Sequence, residues 1–326
     1  MKAGPHPATT PTRRGFLGMT ATLAATGLLS ACSRESGPEE PEKKAAAPTT
    51  RTVTTPLGSY AIPTDPRRVV AVDSRVDLEP ALALGLPVIG YNHSKARPWV
   101  PVDPGVPFLS DKPNLEQILS LGPDLIVCCH AGGEWWPDDK LRSIAPVLTT
   151  DFMIHWRENL TRLATWLGRT DRLAKLTADY DARMAEIKNR HGDLIKASKV
   201  AAISYLPDEG QVYVSSTWST DKGLLPTAAT LQELGGTSPE AKLFSSAENG
   251  LSMEQLDRIA DCRGFMINGS QADFDALMSH PLWRRLPAVK RGAVTLLEGD
   301  VYYGSIYTAP KVADGWDALY TKVAAA

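Results

Sequence analysis

The 326-residue chain is 43% hydrophobic and 22% charged, the make-up of a soluble globular protein with room for two domains of ordinary size. Its formal net charge of −2 argues against nucleic acid as a partner. Four cysteines without a C-x-x-C spacing give no support to a disulfide scaffold or a zinc site.

Residues 1–31 read as an export signal. Thr12–Gly18 (TRRGFLG) sets a twin arginine ahead of the apolar run Met19–Leu29, which is too short for a comfortable transmembrane helix. The RR-x-F-L core resembles a twin-arginine (Tat) signal, and Leu29-Ser30-Ala31-Cys32 resembles a lipobox in which Cys32 is lipidated and becomes the mature N-terminus. Residues 32–50 are charged, rich in Pro, Ala and Thr and without periodicity, which predicts a flexible tether. Removing Lys2, Arg13 and Arg14 from the 35 basic residues leaves 32 against 37 acidic, a mature net charge of −5.

From Arg68 short apolar runs alternate with helical patterns. Strands are predicted at 68–72, 87–91, 124–129 and 146–149, with helices at 76–85, 114–122 and 139–145 between them. This alternation indicates a mainly parallel sheet covered on both faces. The rhythm then changes. Leu173, Leu176, Tyr180, Met184 and Ile187 recur at three- and four-residue steps, predicting one long helix over 170–190. Strands at 199–205 and 211–216 follow, then a helix at 224–235, a strand at 293–298 and a final helix from Ala309. The expected architecture is α/β: two Rossmann-like lobes, at 51–150 and 194–326, joined by a helical linker at 151–193 and enclosing a cleft. Cys128 and Cys129, adjacent on a strand, point to opposite faces, and Cys262 lies in the other lobe, so buried free thiols are expected.

One phrase is written twice. NLEQILSLGPDLIVCCH (114–130) and SMEQLDRIADCRGFMIN (252–268) each place a polar cap before an apolar residue, then Glu-Gln, an amphipathic run, a breaker and an apolar strand. Asn114 and Ser252, each with a Gln three residues on, suit capping boxes. Glu116 and Glu254 then sit in first turns, where a carboxylate complements the helix dipole. They also suit equivalent surfaces of two similar lobes.

The chain from about Arg67 onward resembles the substrate-binding lipoproteins of iron–siderophore and cobalamin ABC importers, and within them the ferric hydroxamate-binding branch. The carriers are RVVAVDS with ALALGLPVIGY, KPNLEQILSLGPDLIV, LSMEQLDRIAD, FDALMSHPLWRRLPAVKRGAV and EGDVYYG, in that order and behind a lipoprotein-type signal. The resemblance implies two lobes bridged by a helix, an iron(III)–siderophore ligand in the cleft, no cofactor and no catalysis. It further implies a lipid-anchored extracytoplasmic monomer, with Glu116 and Glu254 docking onto arginines of a dimeric permease.

Ligands of open α/β sheets sit beyond the carboxyl ends of strands. Trp156, Trp166, Trp283 and Trp316 fall in helical or packing patterns and are expected in the core. Trp99, Trp135, Trp136 and Trp218 fall in loops, joined by Tyr205, Tyr302 and Tyr303, and suit a bulky ligand with an oxygen-rich centre. Ser110 and Thr220 stand where relatives in the hydroxamate branch often carry an arginine, leaving Arg75, Arg97 or Lys222 to replace it. His93 and His130, both after strands, keep open haem, cobalamin or direct Zn/Mn binding on the same fold. An extracytoplasmic enzyme is disfavoured by the lack of a G-x-S-x-G, G-x-G-x-x-G or P-loop motif.

Overall fold

The computed structural model describes residues 49–216, 219–220, 223–240 and 250–326. Cys32, Trp218 and Lys222 lie outside them. A hairpin opens the described chain: β1 (Thr50–Thr55) pairs antiparallel with β2 (Gly58–Pro63). The first lobe follows as β3 (Val69–Ala71), α1 (Leu78–Ala83), β4 (Val88–Tyr91), α2 (Leu115–Ser120), β5 (Leu125–Cys129), α3 (Asp138–Leu141) and β6 (Val147–Thr150). Its four strands form a parallel sheet in the order β4-β3-β5-β6. Successive residues of β3 serve opposite faces, as a pleated strand requires. Val70, Ile126 and Cys128 pack with Ile118 of α2 and Leu141 of α3, while Val69, Ala71, Leu125 and Val127 join the larger core.

Two helices leave this lobe, α4 (Trp156–Leu167) and α5 (Thr170–Ala197). The second has 28 residues, seven more than its apolar spacing suggested, because Ile195 and the buried His191 carry the packed face onward. At 1.5 Å per residue it spans about 42 Å. Gly168, at φ +66°, ends α4 in the left-handed conformation that glycine adopts without penalty.

The second lobe runs β7 (Val200–Leu206), β8 (Gln211–Val214), the short pair β9 (Ser219–Thr220) and β10 (Gly223–Leu224), α6 (Pro226–Leu234), β11 (Gly250–Ser252), β12 (Gly264–Gly269), α7 (Gln271–Ser279), α8 (Pro287–Lys290), β13 (Val294–Glu298) and α9 (Thr308–Ala325). Its sheet has the order β11-β8-β7-β12-β13, with β8 antiparallel to its neighbours and β7, β12 and β13 parallel. The two copies of the repeated phrase differ here. The first forms the α-helix α2, capped by Asn114. The second forms a 3₁₀ helix, Met253–Ile259, opened by the Ser252–Gln255 capping box.

One hydrophobic core runs through both lobes, joining Leu125 and Leu148 of the first sheet to Trp156, Tyr180, Phe265, Trp283 and Trp316. Trp166 packs against its edge. Cys128, Cys129 and Cys262 are buried free thiols.

Candidate ligand cleft between the lobes

The residues that follow β3, β4, β5 and β6 come together with those that follow β13. At their centre is Asp73, fully buried beyond the end of β3. Its Oδ1 accepts from the Arg75 backbone N–H at 2.8 Å and Nε at 3.1 Å, and its Oδ2 accepts from Arg75 Nη2 at 2.9 Å. Trp136 Nε1 donates to the same Oδ2 at 3.1 Å. Burial raises the Asp73 carboxyl, but the hydrogen bonds and charge of Arg75 outweigh it and hold the group below the usual aspartate range. A second carboxyl, Asp77, stitches three strand ends together: it accepts from Asp73 N, Cys129 N and Thr150 Oγ1. Its own burial and the adjacent Asp73 charge push it up to about 8.

The side chains around this pair form a continuous row of rings. His93 stacks on Trp136 at 5.9 Å and meets the edge of Trp135 at 5.5 Å. Trp136 meets Phe152 edge-on at 4.9 Å, Phe152 meets Tyr303 at 4.6 Å, and Tyr303 meets Tyr302 at 5.0 Å. The Arg75 guanidinium lies over Tyr303 at 4.9 Å and Phe152 at 5.7 Å. Arg75 thus has Nε and Nη2 committed to Asp73, while Nη1 has no partner among the described residues. His93 adopts φ +81°, uncommon outside glycine and asparagine. Burial lowers its imidazole below the ordinary range, with Asp73 pulling the other way.

On the second lobe a cavity of about 450 Å³ opens beside Tyr302, lined also by Tyr205, Asn268, Asp273, Glu298 and Asp300. Tyr205 lies inside β7 and is largely buried. The structure therefore gathers Arg75, Trp135, Trp136 and Tyr303 into one wall and Tyr205 and Tyr302 into another.

The remaining candidates have other partners. His130 Nδ1 is held by Asp138 at 2.5 Å. Among the described residues, no three His, Cys, Asp or Glu side chains come together as a metal site. Trp99 sits at the lobe junction, where Nε1 donates to Thr308 Oγ1 at 3.0 Å and the ring packs on Gly299 and Lys311. Arg97 is buried beside it and spent on Glu79 at 3.4 Å and Asp300 at 3.1 Å. Of the three cations considered as a replacement arginine, Arg75 alone faces the ring wall among the described residues. Ser110 is tied to Asn92 and Lys112. Phe152 was missed from the sequence: a lone Phe in a loop carries no motif, and its position after β6 was the only available signal.

The junction that holds the lobes is a buried carboxylate. Glu79, on α1, accepts from the backbone N–H of Ser305, Tyr307 and Thr308 at 2.8, 3.1 and 3.0 Å, and from Thr308 Oγ1 at 2.5 Å. It thereby caps α9 from the opposite lobe, whose own N-cap residue, Tyr307, offers no side-chain bond.

Glu116 and Glu254 are both exposed. Each begins a helix that runs back against a strand, β5 or β12, whose C-terminal end borders the cleft. Both carboxylates therefore lie at the cleft end of their lobes. Glu254 is held below the usual glutamate range by its own backbone amide and by Ser252. A groove of about 260 Å³, floored by Met253, Leu256 and Leu286, adjoins it.

Residues 69–301 match a family described as periplasmic binding protein. The chain belongs to that family. This periplasmic binding protein is 28% identical to the probable siderophore-binding lipoprotein YfiY of Bacillus subtilis, over 92% of this chain and 96% of that one. It is 25% identical to the ferric enterobactin-binding periplasmic protein FepB of Escherichia coli, over 84% and 92%, and 25% identical to the iron(3+)-hydroxamate-binding protein YxeB of B. subtilis, over 84% and 86%. In fold it is similar to a periplasmic solute binding protein from Mycobacterium smegmatis (TM-score 0.69, 22% identity, 84% and 98% covered) and to PiaA from Streptococcus pneumoniae (0.61, 22%, 85% and 100%).

Proposed function

We propose that this protein captures a ferric siderophore of the hydroxamate type outside the cytoplasm and hands it to an ABC permease dimer. It does so as a monomer anchored through Cys32, without catalysis. The observation that carries the reading is Arg75. Its guanidinium is fixed along one edge by a buried carboxylate and on one side by two rings, and one nitrogen is left to donate. A hexadentate chelator fills the iron's inner shell, so the protein has only to offer donors to chelate oxygens and aromatic area to the ligand's backbone. A preformed wall of this kind supplies both at little ordering cost. The names of the curated relatives, which include siderophore-, enterobactin- and hydroxamate-binding proteins, support the same cargo class. Trp135, Trp136, Tyr302, Tyr303 and Tyr205 would bound the ligand. Trp99 acts at the lobe junction. Among the described residues no helix is long and apolar enough to cross a membrane, and the lipid at Cys32 would provide attachment.

The test is a fluorescence titration of the purified protein with linear and cyclic ferric hydroxamates, haem, Zn²⁺ and iron-free chelator. Saturable quenching by an iron-loaded hydroxamate is expected at a sub-micromolar dissociation constant, about −8 kcal/mol or better. The variant Arg75→Gln should bind about tenfold more weakly, the effect of one charge-assisted hydrogen bond. Saturation with haem or Zn²⁺ alone would replace this reading.

A further inference from the structure

We propose that Phe152 is a positioning residue for the ligand: it sets the orientation in which Arg75 presents its free nitrogen to the cleft. The inference rests on the reading that Arg75 contacts the ligand.

Phe152 is a large side chain that contributes to neither hydrophobic core. It is half-buried in the loop between β6 and α4, and its ring contacts are all at the cleft: Trp136 at 4.9 Å, Tyr303 at 4.6 Å and the Arg75 guanidinium at 5.7 Å. The loop that carries it is pinned before Phe152 by one residue of α4 and after it by the Asp151 side chain. Asn159 Oδ1 accepts from the Asp151 N–H at 2.9 Å, and Asn159 Nδ2 donates to the Asp151 carbonyl at 2.7 Å. Asp151 Oδ1 then accepts from the Met153 N–H at 2.7 Å. Core packing does not require this ring, yet its backbone is fixed on either side.

The geometry explains what the ring can do there. Asp73 holds one edge of the guanidinium, which defines a line but leaves the plane free to tilt about it. Cations favour the π-faces of aromatic rings, and Tyr303 and Phe152 lie together on one side of the guanidinium, so a tilt away from them gives up both contacts. Tyr303 comes from the second lobe and Phe152 from the first, and theirs is the ring pair that crosses the cleft among the described residues. The direction of Nη1 is then set by the first lobe through Phe152 and by the second through Tyr303. A donor held this way loses less freedom when it meets a chelate oxygen.

A double-mutant cycle tests this with a ferric tris-hydroxamate as probe and calorimetry as readout, using Phe152→Leu, Phe152→Tyr, Arg75→Gln and the Leu/Gln pair. Leucine keeps apolar bulk and removes the π-face; tyrosine keeps the face. Phe152→Leu should weaken binding about fivefold while the melting temperature of the ligand-free protein stays at the wild-type value, and Phe152→Tyr should restore affinity. In the Arg75→Gln background, Phe152→Leu should add nothing. Equal losses in both backgrounds, or wild-type affinity in Phe152→Leu, would overturn the proposal. If Arg75→Gln binds normally, the assignment of Arg75 itself fails, and any loss in Phe152→Leu then reports direct contact with the ligand.

Discussion

Replacing Glu79 by alanine should be among the most damaging single changes outside the cores. The substitution strands the backbone N–H groups of Ser305 and Tyr307 at the start of α9, leaves the Thr308 N–H with the Ser305 carbonyl alone, and takes a partner from the Thr308 hydroxyl and from Arg97 Nη1. A buried donor left without a partner costs about 1–3 kcal/mol, and breaking a buried ion pair about 3–5 kcal/mol. Arg97 keeps Asp300, and losses within one network are not additive. Two stranded donors at the low end give about 2 kcal/mol, the ion pair falls below its range at about 2 kcal/mol because Asp300 remains, and the expected total is about 4 kcal/mol. For a chain of this size that is a fall in melting temperature of about 10 °C. Glu79→Gln retains one oxygen for the backbone donors and can donate its amide to the Thr308 hydroxyl, but it takes the charge partner from Arg97, so it should cost less than alanine, about 2–3 kcal/mol. Thermal and urea denaturation of the two variants measures both. An alanine variant within about 1 kcal/mol of wild type would show that water replaces the carboxylate, and the account of the lobe junction would be wrong.

Further outcomes follow from the same contacts. The Glu116→Ala/Glu254→Ala double variant should bind ferric hydroxamate with unchanged affinity and lose iron uptake in cells; weakened binding would remove the docking role. Gly299 has φ +105°, and a Cβ there would meet the Trp99 ring at 2.8 Å, so Gly299→Ala should destabilise by about 2–3 kcal/mol. Adding Trp99→Leu should recover part of that loss, and strict additivity would refute the clash. The lowered His93 group resists protonation when folded, whereas the unfolded chain takes up the proton near its ordinary value. Stability is therefore complete above about pH 6.5 and declines as pH falls from there toward the folded value. His93→Asn, which tolerates the left-handed backbone, should flatten that decline in urea midpoints measured between about pH 7.5 and pH 5.5.

Much of the fold was legible because buried parallel strands write themselves as short apolar runs, as in LIVCC at Leu125–Cys129. The β1–β2 hairpin was not, since TRTVTT and GSYAIP bury only Val53, Thr55 and Ile62 and follow a low-complexity stretch. The ring wall was legible as post-strand loops rich in aromatics, through Trp135, Trp136 and Tyr303. Trp99 and Arg97 show where such reasoning stops. They occupy the same kind of loop, but Glu79 and Thr308 draw them into the junction, and Thr308 lies 209 residues beyond Trp99. Glu79 itself, in VDLEPALALG, reads as a solvated acid on an amphipathic helix. Nothing local predicts that it is fully buried, because the donors that make burial tolerable come from the opposite end of the fold.

That last contact orders events during synthesis. Glu79 emerges from the ribosome 226 residues before Ser305, the first of its backbone donors along the chain. Until α9 arrives, the first lobe can form its sheet but keeps at its edge a carboxylate that has Arg97 and water as its only partners. Closure of the molecule is thus a late event, triggered by a helix that also completes the shared core through Trp316 and Tyr320. A chain interrupted before Ser305 would hold most of the strands and still present an open, charged seam, a state that quality-control proteases can tell from the finished protein.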